Sequence, residues 1–192
     1  MSLFKSTYNA LAFAYQFNGL NISTPHLCEM QPSKARSLGG LNGAGEAGSI
    51  KRAVKDLGEV AESLVIARFS PSKLPCSCHR SCCCGWVCNA DWQQAVNTLS
   101  KSIDDAVFCR VGDANYRAAI TGRYFSRDYD KKPIEFIADS SRISRATAYQ
   151  HYKAIKQYFR GSRSQKGVEQ VVIDKVDEIL RDLKIVGEFE DE

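Results

Sequence analysis

Residues 134–157, IEFIADSSRISRATAYQHYKAIKQ, constrain the fold more than any other stretch of the chain. Ser140 and Ser141 interrupt a helical pattern, and Ser144 is a suitable N-cap for a second helix because its hydroxyl can accept a hydrogen bond from a first-turn amide. The apolar residues on both sides of this interruption face inward: Ile134, Ile137 and Ala138 before it, and Ala148 and Ile155 after it. Ile143, five residues after Ala138, is expected to be the buried residue of the turn. The stretch therefore predicts two helices joined by a tight turn, which is the layout of a helix-turn-helix.

The second of these helices carries polar and basic side chains on its outward positions. From Arg142 to Lys166 the chain has seven basic residues and no acidic ones. A charge run alone usually indicates a solvated face, but a basic block on and after such a helix is typical of contact with nucleic-acid phosphates. We favour phosphate contact because the motif and the charge coincide. The alternative is a pair of core helices in an ordinary all-α domain.

The run from Ile143 to Gln150, preceded by Ile137 and Ala138, resembles region four of bacterial sigma factors and the Q-type late-gene antitermination proteins of lambdoid phages. The resemblance spans residues 113–160. It implies a phage transcription regulator that binds double-stranded DNA and acts on bacterial RNA polymerase so that the enzyme reads through terminators. In sigma-like domains the positions that touch promoter DNA match Arg145, Ala146, Tyr149 and Gln150; Ala146 and Tyr149 differ from the family's residue types.

We expect the DNA-binding side chains to follow the second helix: Ser144, Arg145, Ala146, Tyr149, Gln150, Lys153, Lys156 and Arg160. Arg145, Tyr149 and Gln150 would read base edges, and the later basic residues would contact phosphates. Two alternatives are a repressor or activator without antitermination and a metal-dependent nucleic-acid-processing enzyme. An enzyme of that kind predicts clustered Asp and His ligands, whereas this chain offers thiolates. We find no paired carboxylates, phosphate-binding glycine loop or activated nucleophile, so we expect no enzymatic activity and no catalytic residues.

Residues 76–88, CSCHRSCCCGWVC, contain six cysteines and one histidine. Thiolates in this number favour zinc, because a closed tetrahedral site stabilises a short segment that has no core of its own. The candidate ligands are Cys76, Cys78, Cys82, Cys84 and Cys88, and Gly85 would let the chain fold back toward the last of them. An iron–sulfur cluster or a redox thiol is disfavoured since the segment has no Cys-x-x-Cys pair. Q-type regulators also tend to carry a cysteine-rich metal element near their DNA-binding helices. Cys28 and Cys109 are predicted to be small buried hydrophobic residues.

We expect a mainly α fold, since 192 residues with 44% apolar content can build a core. Four parts follow from the patterns along the chain. Residues 1–70 form an N-terminal helical region, 71–91 a cysteine-rich zinc hairpin, 92–161 the sigma-region-four-like helix-turn-helix domain, and 162–192 an acidic amphipathic C-terminal helix.

Further helices are predicted from apolar spacing and capping residues. The first helix presents one stripe: Phe4, Tyr8, Leu11 and Tyr15. The glycine- and proline-containing run from Asn21 to Gly48 predicts a loop, after which Ser49 caps one long helix that reaches Val65. Asn89 and Asp113 predict the starts of two more helices.

The C-terminal helix repeats apolar residues at four-three spacing: Val172, Val176, Ile179, Leu183 and Val186. This seam is expected to pack within the chain, with a homodimer or a partner protein as the alternatives. Residues 168–192 carry nine acidic residues against three basic ones, so the helix should face away from DNA. The chain has no apolar run of about 18 residues and no convincing signal peptide, which predicts a cytosolic protein with reduced cysteines. The resemblance to phage regulators implies that this is the cytoplasm of a bacterial host.

Overall fold

The computed structural model describes residues 3–16, 40–78, 84–103, 107–108, 111–127 and 131–187. Within these residues the chain is mainly α-helical, as the sequence predicts. The helices in chain order are α1 (Thr7–Gln16), α2 (Gly40–Lys55), α3 (Glu59–Phe69), α4 (Ala90–Ser102), α5 (Ala114–Phe125), α6 (Ile134–Ser140), α7 (Arg145–Arg160) and α8 (Val168–Asp182). Strands β1 (Lys73–Pro75) and β2 (Trp86–Cys88) lie between α3 and α4 and pair antiparallel.

A cluster of buried apolar side chains receives residues from every one of these helices. Helix α4 packs against α3 and α5, and α5 in turn packs against α6 and α7. Helix α8 contacts α1, α2, α3 and α7, so its apolar face is covered within the chain. The buried cluster crosses the predicted boundaries at residues 70 and 161, and the four-part division stays a prediction.

Residues near the two ends of the described chain lie side by side. Phe4 and Val186 form a parallel β-bridge. The amide of Phe4 donates to the carbonyl of Ile185 (3.0 Å), and the amide of Gly187 donates to the carbonyl of Phe4 (3.2 Å). The hydroxyl of Thr7 at the start of α1 also donates to the carboxylate of Asp177 in α8. These bonds fix α8 against the first helix.

Two predictions for residues 40–65 are wrong. The loop predicted to reach Gly48 ends earlier because α2 begins at Gly40; residues 21–39 of that loop lie outside the described residues. Each helical glycine costs about 1 kcal/mol relative to alanine, but α2 buries Ala47, Ile50 and Val54 against its neighbours. The single helix predicted from Ser49 to Val65 is interrupted at Gly58, whose φ of 99° glycine tolerates best. Ser49 lies inside α2 and caps nothing.

The predicted apolar stripes of α1 and α8 are buried in large part. Phe4 and Leu11 of the first stripe are buried, as are Val172, Val176 and Val186 of the second. Tyr8, however, is 52% exposed, and α1 also buries the smaller side chains of Ala10 and Ala14. In the same way Leu183 is 54% exposed while Ile173 and Leu180 are buried. Neighbouring helices decide which residues of a helix are covered, and the apolar spacing within one helix carries no information about those neighbours. A homodimer through α8 stays a prediction, and it would have to use side chains left exposed, such as Val171.

The predicted helix starts at Asn89 and Asp113 are confirmed. The Asn89 side chain accepts hydrogen bonds from the amides of Asp91 and Trp92, and the Asp113 carboxylate accepts from those of Asn115 and Tyr116. These caps set where α4 and α5 begin. Among the described residues, no helix combines the length and apolar character needed to cross a bilayer.

Candidate nucleic-acid interface

The turn between α6 and α7 is held by short-range hydrogen bonds. The amide of Ile143 donates to the carbonyl of Ala138 (3.0 Å), which turns the chain back on the end of α6. Arg142 reaches this geometry with a positive φ of 55°. The Ser144 hydroxyl accepts a hydrogen bond from the amide of Thr147 (3.1 Å), which confirms the predicted N-cap. Ile143 is half-buried in this turn.

The inward side of α7 is fixed by packing against α5 and α6. Its buried residues are Ala148, His151, Ile155 and Phe159. The Phe159 ring stacks on Tyr124 of α5 with centroids 5.2 Å apart, and the Tyr116 hydroxyl lies 2.9 Å from Nδ1 of His151. These contacts set the rotation of α7 about its axis, and they thereby decide which side chains face solvent.

All eight residues predicted to bind DNA are exposed: Ser144, Arg145, Ala146, Tyr149, Gln150, Lys153, Lys156 and Arg160. They extend from the N-cap to the last residue of α7. The helix contains no aspartate or glutamate, so its own exposed charges are all positive. Carboxylates of α6 lie beside its first two turns, and the later turns carry Lys153, Lys156 and Arg160. A positive helix surface of this kind attracts an anionic polymer and loses that attraction as salt rises.

Arg145 makes a two-point contact with a carboxylate of α6. Its Nε donates to Oδ1 of Asp139 (3.2 Å) and its Nη2 donates to Oδ2 (2.8 Å). Both side chains are more than half exposed, at 63% and 57%. The hydrogen bond and the charge of Arg145 lower the pKa of Asp139, and those of Asp139 raise the pKa of Arg145. The guanidinium is thereby oriented by α6.

Tyr149 makes a similar contact, one turn later in α7 and one turn earlier in α6. Its hydroxyl donates to the Glu135 carboxylate, which lowers the pKa of Glu135 and raises that of Tyr149. Glu135 and Asp139 were not among the predicted site residues, although the sequence contains a signal for both contacts. Glu135 and Asp139 are four residues apart, as are Arg145 and Tyr149, so each pair occupies one helix face. When α6 and α7 cross with these two faces in contact, Asp139 meets Arg145 and Glu135 meets Tyr149.

The positive surface extends from α7 to α5 through Tyr152. This half-buried ring has the guanidinium carbon of Arg123 5.4 Å from its centroid and Nζ of Lys156 5.9 Å away. Cations over an aromatic face are attracted by the ring's quadrupole, which makes the face of the neutral ring partially negative. Arg123 belongs to α5, so the helix behind α7 contributes to the same surface. Sequence spacing gave no reason to single out Tyr152.

The cysteine-rich segment forms a hairpin of β1 and β2. Its register pairs Lys73 with Cys88 and Pro75 with Trp86, and the next position is closed by the Cys76 amide, which donates to the Gly85 carbonyl (2.8 Å). Gly85 has a φ of 80°, as expected where the chain turns back. The Trp86 side chain is 57% exposed, so the hairpin contributes little of its own surface to the core.

The hairpin distributes the predicted zinc ligands unevenly. Cys76 and Cys84 lie at the same end, because Cys84 precedes the Gly85 that pairs with Cys76. Cys88 lies three register positions away, roughly 10 Å along the strand at about 3.3 Å per residue. Soft thiols at the end of the hairpin that holds Cys76 and Cys84 fit zinc chemically. Among the described residues no three metal-binding side chains converge, and Cys82, His79, Cys28 and Cys109 lie outside those residues.

Comparison of the chain with protein families, curated proteins and solved structures gave no match. Helix α7 combines three features: the cap at Ser144, exposed basic side chains, and packing of its inward side on α5 and α6.

Proposed function

We propose that this protein is a transcription regulator that binds double-stranded DNA through the exposed face of α7. The observation that carries the proposal is the division of α7 into two sides. One side is buried against α5 and α6, and the other presents the positive residues and Gln150 to solvent without any carboxylate of its own. A recognition helix in the major groove requires this division, because only a helix anchored along one side can hold its other side against base pairs.

The exposed side chains divide by position into two roles. Arg145, Tyr149 and Gln150 lie in the first two turns of α7, where a recognition helix meets base edges, and an arginine or glutamine can form two hydrogen bonds to one base. Ser144 and Ala146 flank them and allow close approach. Lys153, Lys156 and Arg160 extend toward the C-terminal end, and they are assigned to phosphates, which supply salt-dependent affinity.

We extend the proposal to late-gene antitermination on the strength of the resemblance to Q-type proteins. The partner would be bacterial RNA polymerase in the host cytoplasm, and the cysteine hairpin would carry a structural zinc ion. Such a protein needs no catalytic residues, because polymerase performs the chemistry. A repressor or activator would use the same face of α7, so antitermination must be tested separately from DNA binding.

The base-reading assignment is tested with the double variant Arg145→Ala/Gln150→Ala. The wild-type protein is used to select duplexes from randomised double-stranded DNA, and binding to the selected and unselected pools is compared at several salt concentrations. We expect the variant to lose the preference for selected DNA while it keeps most of the salt-dependent binding. The control is Gln170→Ala/Lys175→Ala, which removes the same side-chain types, one amide and one cation, from exposed positions of α8. Retained preference in the α7 variant would overturn the assignment.

Antitermination is tested by transcription with purified bacterial RNA polymerase on a template that places a terminator downstream of the selected site. We expect added protein to increase the full-length transcript relative to the terminated one. An effect on initiation alone, with an unchanged ratio of the two transcripts, would instead identify a repressor or activator.

A further inference from the structure

The contact between Arg145 and Asp139 occupies one particular edge of the guanidinium. Asp139 accepts from Nε (3.2 Å) and from Nη2 (2.8 Å), so the edge formed by Nη1 and the outer hydrogen of Nη2 lies outside this contact. A guanidinium presents five N–H groups in one plane. It can therefore donate to two pairs of acceptor atoms at once, one pair on each of two edges. The remaining edge has the geometry that matches O6 and N7 of guanine in the major groove.

We infer that Asp139 is a positioning residue that makes Arg145 selective for a guanine. This inference rests on the proposed DNA-binding function and names one element of the target: a G·C pair read by the first residue of α7. Asp139 itself touches no base in this arrangement. It holds the guanidinium against α6, so that the edge formed by Nη1 and Nη2 is already oriented when Arg145 meets DNA.

For two physical reasons, the contact of Asp139 with Arg145 fits a positioning role better than a purely stabilising one. Exposed ion pairs add little to folding stability, so holding two half-exposed side chains together does little for the fold. Fixing a long side chain before binding does help recognition, since less rotamer freedom is lost when the base contact forms. The neighbouring Tyr149–Glu135 contact shows the same arrangement one turn along, so α6 orients two of the three proposed base-reading side chains.

The Asp139 carboxylate also has a second effect on DNA binding, opposite in sign to its positioning of Arg145. Asp139 places a negative charge close to the proposed DNA face, and that charge repels phosphates. Its removal should therefore leave nonspecific binding unchanged or stronger. If the carboxylate positions Arg145, the same removal should weaken discrimination between guanine and other bases. Affinity and selectivity are expected to move in opposite directions.

The test compares four proteins in selection from randomised double-stranded DNA followed by sequencing: wild type, Arg145→Ala, Asp139→Asn and Asp174→Asn. We expect the wild-type motif to contain one guanine whose enrichment disappears in Arg145→Ala. In Asp139→Asn the preference for that guanine should fall about tenfold while other positions keep theirs. Asp174→Asn is the matched control: this carboxylate is 56% exposed, pairs with Lys166 at 2.6 Å, and lies on α8. It should leave every position unchanged.

The possible failures are distinct. If wild type enriches no motif, the proposed function falls and the inference falls with it. If a motif is found and Asp139→Asn leaves the guanine preference intact, the positioning role is wrong while DNA binding stands. The role is equally wrong if the base that depends on Arg145 is not guanine, or if Asp139→Asn tightens binding to all sequences without changing selectivity. Thermal unfolding of each variant establishes that it is folded.

Discussion

His151 is the one histidine on the inward side of α7, and it is almost completely buried. Its Nδ1 lies 2.9 Å from the Tyr116 hydroxyl oxygen, and its ring meets Phe108 edge-on with centroids 5.7 Å apart. Burial lowers the pKa of His151, and the nearby positive charge of Arg117 lowers it further. Among the described residues its Nε2 has no hydrogen-bond partner, so the neutral ring is the form that the fold accommodates.

Lowering the pH should therefore destabilise the protein through His151. The unfolded chain holds this proton with an ordinary pKa of about 6.5, whereas the folded chain binds it more weakly. The stabilising contribution of the neutral ring is complete above that pH and is lost as pH falls through the folded-state pKa. We expect the free energy of unfolding, measured with urea, to fall more between about pH 7 and about pH 5 in wild type than in His151→Phe. Identical pH dependence in the two proteins would contradict this.

The starts of α4, α5 and α7 could be predicted from sequence because a cap is a local interaction. Ser144, Asn89 and Asp113 each bond amides two or three residues ahead, so a few neighbouring letters contain the whole signal. The exposure of the proposed DNA-binding residues followed in the same way from the strong two-sidedness of α7.

Features that depend on packing between helices could not be predicted. Helix α2 forms despite four glycines, because partners distant in the sequence cover its apolar residues. The contacts of Glu135 and Asp139 with α7 depend on how two helices cross, and only the four-residue spacing hinted at them. Tyr8 and Leu183 fit apolar stripes by spacing, yet both are exposed while other residues of those stripes are buried, because the packing of neighbouring helices decides how much of each stripe is covered.

At the level of elements, the hairpin of β1 and β2 differs from the helices because apolar burial contributes little to its stability. Two three-residue strands bury little, so we expect a zinc ion to stabilise them. Metal analysis of the purified protein should find about one zinc per chain.

Removal of the metal by a chelator should speed hydrogen exchange in residues 73–88 while α7 stays protected. Cys76→Ser and Cys84→Ser should lose zinc, and the distant Cys28→Ser should keep it. A metal-free hairpin with unchanged protection would exclude a structural role.

At the scale of the whole molecule, a buried carboxylate joins three helices. Glu169 of α8 is nearly buried, pairs with Arg68 of α3 at 2.9 Å, and accepts a hydrogen bond from the Tyr124 hydroxyl of α5 at 2.6 Å. Burial raises the pKa of Tyr124, and the hydrogen bond to Glu169 raises it further. The hydroxyl therefore stays protonated and keeps donating. Helices from the first and last parts of the chain thus share one polar contact inside the core.

Replacing Arg68 should destabilise the protein because it leaves the Glu169 charge in a buried site without its cation. We expect Arg68→Met to lower the free energy of unfolding by about 1–3 kcal/mol, and Arg68→Met/Glu169→Gln to recover part of the loss. Lys166→Met breaks an ion pair of similar length between exposed groups, and it should change stability by less than about 1 kcal/mol. Equal losses in Arg68→Met and Lys166→Met, measured by chemical denaturation, would show that burial of Glu169 has no effect.

The bridge between Phe4 and Val186 has a consequence for synthesis on the ribosome. Helices α1, α2 and α3 are made first, yet α8, which packs on all three, is made last. At about 5–20 residues per second, on the order of ten seconds separate the two events. During that interval the early helices expose the apolar surface that α8 later covers. Helices α5, α6 and α7 emerge together and have one another as partners, so the proposed DNA-reading unit can assemble before α8 is available to cover α1, α2 and α3.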